Sequence, residues 1–124
     1  MTDRVRGLAS APWQYLPVAA TVTEQLLAEF PELAARYGQR GRDYGVHDTA
    51  YQMGWIVSAI ELDSPDILRS NVIWLRDLLA ARGFPLEPFR RNLELTIEAC
   101  KEHRIASEED LRRVVQPMLT ELDW

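Results

Sequence analysis

The chain has 124 residues, 47% of them hydrophobic and 27% charged, with 14 Lys+Arg against 19 Asp+Glu. Those proportions suit one globular domain over 1–124 and exclude a disordered segment. The net charge of -5 works against gripping a nucleic-acid backbone, whose affinity comes from cationic neutralisation, so no nucleic-acid partner is expected. A single cysteine, Cys100, rules out an intramolecular disulfide and a cysteine-rich zinc site. The opening residues Met1 to Arg6 lack the apolar run of a secretory signal, and no later stretch suffices to cross a bilayer. A cytoplasmic protein with no membrane partner is therefore expected, and the near absence of lysine (only Lys101) reads as bacterial coding bias.

In chain order, residues 1–12 are expected to fray, with Trp13, Tyr15 and Leu16 available to pin that end. Pro17 opens a first helix through Val22, Leu26, Leu27 and Phe30, and Pro31 kinks or restarts it as far as Tyr37, where Gly38 stops it. Gly38 to Gly41 makes a polar turn, and a second long helix runs from near Arg42 to Glu61. Ser64-Pro65-Asp66 supplies an N-cap, a proline at the first helical position and an early acid. That third helix reaches Arg82, where Gly83-Phe84-Pro85 reads as a glycine cap followed by a breaker. A fourth helix spans Leu86 to His103, and a fifth starts at Ser107 and is kinked by Pro117.

No segment alternates as a strand does. The fold class predicted is all-α, an antiparallel up-down bundle of about five helices joined by short connections. Helical wheels give the fourth helix one apolar arc (Leu86, Phe89, Leu93, Thr96, Ile97, Cys100), and the fifth another through Leu111, Val114, Val115 and Met118. Both read as outer helices. The second carries two apolar stripes, Tyr44-Tyr51-Trp55-Ala59 and Val46-Met53-Ile56-Val57-Ile60, and reads as the central one.

Catalytic signatures are scarce. The chain has no Walker loop, no Gly-x-Ser-x-Gly elbow, no His-Glu-x-x-His pair and no Glu-x-x-His dimetal motif. Cys100 and His103 stand three apart but lack a second ligand pair, and His47-Asp48 lacks the further histidines of a phosphohydrolase. No catalytic residue and no metal ligand is assigned, and the sequence names no cofactor.

The anomaly is polar residues on apolar faces. Asp48 projects between Trp55 and Ala59, Gln52 between Ala59 and Ile56, and Asn71 within the third helix's arc around Trp74, Leu75 and Leu78. Burying such groups is costly unless they are hydrogen-bonded. One reading is an internal network in which Arg42, Arg76 or Arg82 pairs with Asp48; the other is the polar floor of an aromatic pocket for a small ligand. Asp48, Tyr51, Gln52, Trp55, Asn71 and Trp74 are the candidate ligand-binding residues. Arg36, Arg40 and Arg42 near the first turn, and the stripe Glu94-Glu98-Glu102, read as solvated charge. Ile73 and Leu95, projecting from polar faces, suggest a homo-oligomer or a helical protein partner.

Residues 31–95 resemble a loosely defined group of small bacterial all-helical domains of sensory or regulatory type. The resemblance rests on Pro31-Glu32-Leu33, Tyr37-Gly38, Gly41-Arg42, Asp48-x-x-Tyr51, Ala59, Ser64-Pro65, Trp74-Leu75 and Ala80-Ala81-Arg82-Gly83-Phe84-Pro85. In that pattern a histidine often follows the tyrosine; here the position is Gln52, so a role for that histidine does not carry over. The expected function is a non-enzymatic binding or regulatory module that recognises a protein partner or a small-molecule ligand. The alternative is a cofactor-binding or enzymatic protein using an aromatic pocket around His47, Asp48 and Tyr51.

Overall fold

Pro31 and Pro65 each stand at the first position of a helix, where a missing N–H costs nothing, and they set the frame of the fold. The computed structural model describes residues 3–122, with side chains from residue 13 onward. Helices α1 (Asp3–Glu29), α2 (Pro31–Leu62), α3 (Pro65–Ala81) and α4 (Leu86–Glu102) are followed by a terminal helical segment. That segment comprises α5 (Glu108–Asp110), a π-helical turn (Leu111–Val115) and α6 (Gln116–Glu121). No strand occurs among the described residues. Consecutive helices pack as in an up-down bundle, and no helix among the described residues is long and apolar enough to cross a membrane.

The caps follow the sequence closely. The Ser64 hydroxyl accepts from the Ile67 N–H, and the Ser107 hydroxyl accepts from the Asp110 N–H at 3.1 Å. Gly83 takes φ +79 after α3, and the Phe84 N–H returns to the Leu79 carbonyl at 2.9 Å. Asp63 closes α2 in the same left-handed conformation, and its carboxylate receives Arg113 from the π-helical turn. That turn is also how the chain meets Pro117: the Gln116 N–H bonds five residues back to Leu111, so the register slips just before the residue that lacks a donor.

One expectation fails for tertiary reasons, and two hold only in part. The first helix does not open at Pro17; α1 is helical from Asp3 and passes through it. Its Ala19, Val22 and Leu26 are buried where α1 packs on α2 and α4, and that packing overrides the local preference. Second, α4 is an outer helix, with Arg90, Glu94, Glu98 and Lys101 exposed, but its buried face is broader than the single arc expected. Beside the row Phe89, Leu93, Thr96 and Cys100 it also buries the adjacent row Asn92, Leu95 and Ala99, and it touches α1, α2 and α3. Leu95 is 3% exposed and Ile73 packs against the core, which removes the sequence's motive for self-association. Third, α2 is central, in contact with α1, α3, α4 and the π-helical turn, yet it is not enclosed on every apolar side. Met53, Ile56 and Ala59 enter the core, whereas Tyr44 and Tyr51 are 57% and 50% exposed.

Candidate functional site

The Tyr44-Tyr51-Trp55 stripe of α2 opens onto a cleft of about 960 Å³. Its formation starts with a backbone break. Gly38 takes φ +62 and ψ -155 inside α2, a conformation that L side chains rarely adopt, so the helix runs as two segments about that residue. Gly41 lies one turn on, where an added Cβ would sit 2.2 Å from the Cβ of Tyr37. In a straight helix Leu33 and Trp55 would stand about 33 Å apart, too far to line one cleft of this size. Here both line it.

The walls are apolar and come from every long helix. Leu26 and Leu27 of α1 face Leu33 and Tyr37 of the first α2 segment, and α3 adds Trp74, Leu75, Leu78 and Leu79. Phe84, after the Gly83 cap, stacks on Tyr37 with ring centroids 5.8 Å apart, and Phe89 of α4 closes that end. Tyr44, Tyr51 and Trp55 complete the aromatic lining from the second α2 segment.

The floor is polar and bonded across helices. Gln52 Nε2 donates to Asn92 Oδ1 at 2.9 Å, and Asn92 Nδ2 donates to Thr49 Oγ1 at 3.0 Å. Within their own helices, Thr96 Oγ1, outside the cleft lining, donates to the Asn92 carbonyl at 2.7 Å, and Thr23 Oγ1, which lines it, donates to the Ala19 carbonyl at 2.9 Å. Gln52 is 2% exposed, yet its Oε1 has no partner; nor has the buried hydroxyl of Tyr37. A buried polar atom without a partner is rare, because it forfeits water and receives nothing in exchange.

Asp48 lies one turn before Gln52 and also lines the cleft. Burial pushes its carboxyl above the ordinary carboxylate value, while His47 and then Arg82 pull it back through space. The expected ion pair does not form: its carboxylate makes no hydrogen bond or ion pair with any described residue. Arg42, offered by the sequence as its partner, instead donates to Glu24 of α1 at 2.6 Å. Arg76 lies beside Asp77. Arg40 spreads over the Tyr44 ring at 5.6 Å and donates to its hydroxyl at 3.4 Å, and Arg36 covers Tyr37 at 5.1 Å.

Of the six candidate ligand-binding residues, Asp48, Tyr51, Gln52, Trp55 and Trp74 share this cleft, and Asn71 is half-buried outside its lining. The sequence reading missed Thr49 and Asn92. Asn92 hides in a helix read as having a single apolar arc, and only its approach to α2 makes it part of the floor. His47 is exposed and is not among the lining residues. Cys100 is buried in the core and its thiol is pushed up to about 12 by desolvation, while His103 is exposed, so the pair forms no metal site. Among the described residues no three His, Cys, Asp or Glu side chains cluster to hold a metal ion. Comparison with family models, curated proteins and solved structures finds no match for the chain.

Proposed function

We propose that this protein is a non-enzymatic binding module whose cleft between α1, α2, α3 and α4 takes a small organic ligand, in the manner of a sensory or regulatory domain. The observation that carries the reading is the combination of an apolar, aromatic-walled cleft of about 960 Å³ with unsatisfied polar atoms at its base. Ligand sites are commonly built this way, as concave apolar surface with a few polar groups that fix orientation. The core alone gives no reason to leave Tyr51, Trp55 and Trp74 on one opening. Large aromatic rings contribute most to binding when an apolar surface covers them.

A reaction would need a nucleophile or a poised acid and base, and the cleft supplies none beyond Asp48. Its hydroxyls are those of Tyr37, Tyr44, Tyr51, Thr23 and Thr49, and no imidazole or thiol lines it. A role in binding is therefore favoured over one in catalysis.

Fluorescence titration with Nile red, a neutral dye that brightens in apolar surroundings, tests the reading. Saturable binding with a stoichiometry of one, accompanied by quenching of tryptophan emission, is the expected result. Absence of saturable binding, or binding undisturbed by Trp55→Ala and Leu78→Asp, removes the proposal. Native mass spectrometry of the protein purified from its own host would identify the natural occupant.

A further inference from the structure

Resting on that reading of the cleft, we infer that the ligand carries a protonated amine on a ring-containing apolar body, and that Asp48 receives the amine.

The argument starts from helix spacing. Tyr44, Tyr51, Gln52 and Trp55 stand four before and three, four and seven after Asp48 on α2, and all five line the cleft. Side chains three and four apart on a helix are neighbours, so Tyr44 and Tyr51 flank the carboxylate along its own helix; Arg40 lies over the Tyr44 ring, which leaves Tyr51 and Trp55 as the α2 rings for a ligand. Trp74 adds a ring from α3. A carboxylate among aromatic faces suits an organic cation, because the ring faces and the anion attract it together.

The acceptors at the base point the same way. Asp48 makes no bond to a described residue, and Gln52 Oε1 is buried without a donor. Turning the Gln52 amide over would exchange its oxygen and nitrogen, with the Asn92 amide and Thr49 hydroxyl reversing in step. Asp48 has no such freedom: an ionised carboxylate only accepts. The polar group it lacks is therefore a donor, whichever way the glutamine lies.

Three arginines also line the cleft and argue for an acidic ligand instead. Their charges are placed differently. Arg42 is engaged by Glu24 at 2.6 Å, and Arg40 is an exposed side chain laid along Tyr44. Arg82 is exposed and reaches Asp48 only through space. An exposed guanidinium keeps its hydration without a ligand, whereas Asp48 is half-buried and the charge that gains most from a partner.

Competition titrations on the full chain at neutral pH test the inference, with Nile red as the reporter and naphthylethylamine, naphthylethanol and naphthylacetate as matched probes. The amine is expected to displace the dye at a concentration roughly tenfold or more below the alcohol and the acid, the scale of one charge-assisted hydrogen bond. Asp48→Asn should abolish that preference, each displacement being read against that variant's own Nile red titration, with a thermal midpoint no lower than that of the wild type. Arg82→Gln, which removes the opposing charge, should strengthen amine binding. A preference for the acid, or an amine preference that survives Asp48→Asn, overturns the inference and leaves the cleft reading standing. If neither Nile red nor any of the three probes binds, both fall.

Discussion

The two faces of α2 each carry an apolar stripe in sequence and meet opposite fates. Ala50, Met53, Ile56 and Ala59 are all 0% exposed and belong to the core. Tyr44, Tyr51 and Trp55 line an open cleft. What differs is the shape of the partner. The first face is covered within a core that also holds small and branched side chains such as Val72, Val114 and Val115. On the second face the break at Gly38 and the aromatic rings hold the elements apart. The comparison teaches that apolar periodicity reports surface that must leave water, and that a ligand can cover such surface as well as a helix can.

The comparison breaks first if the faces respond alike to truncation. Ile56→Ala empties a fully buried position and should cost about 4 kcal/mol by urea denaturation. Trp74→Ala, at a residue 59% exposed, should change stability by no more than about 0.5 kcal/mol while weakening Nile red binding. Equal losses would mean that the cleft face is part of the core.

Next in size is the hinge that separates the faces. Gly41→Ala places a Cβ against the Tyr37 Cβ, an atom that no rotamer can withdraw, and about 3 kcal/mol of stability should be lost. Wild-type stability in that variant, measured by thermal unfolding, would show that the two α2 segments are not held at this angle.

The floor comes third. Asn92→Leu leaves the Gln52 amide and the Thr49 hydroxyl without their partner and should cost about 2 kcal/mol. Gln52→Leu combined with Asn92→Leu should recover much of that loss, since an apolar pair leaves fewer orphaned groups. A double variant no better than the single one would deny that the network is a unit.

The smallest effect concerns Asp48 and is best read through pH. Its folded carboxyl titrates above its unfolded value, so the folded form binds the proton more tightly. As pH rises from the unfolded value through the folded one, Asp48 opposes the fold increasingly, and above the folded value the penalty is constant. Asp48→Asn and Asp48→Ala should therefore melt at or slightly above the wild-type temperature at pH 7, with the gap closing as the solution is made acidic. A lower melting temperature for both at pH 7 would mean that the carboxylate has a structural partner after all.

Local chemistry made much of this fold legible. Ser64-Pro65, Gly83-Phe84-Pro85 and Ser107 mark helix ends because caps depend on residues within one turn of the end. Asp48 and Gln52 were legible for a related reason: a polar side chain on an apolar helical face is an anomaly that periodicity exposes, though the same rule chose Asn71, which lies outside the cleft lining. Asn92 was not legible, since its role depends on contact with α2, forty residues away from Gln52 in the chain.

By itself the sequence determined the helices, their caps and the amount of apolar surface that had to leave water, because these follow from single residues and a fixed 3.6-residue period. Tertiary structure alone decided how that surface was shared out. It carried α1 through Pro17, buried Leu95 against its neighbours, drew Arg42 to Glu24 and left Asp48 unpaired over a cleft. Which side chain meets which depends on helix angles, and these are set jointly by all the contacts rather than by any one stretch of chain.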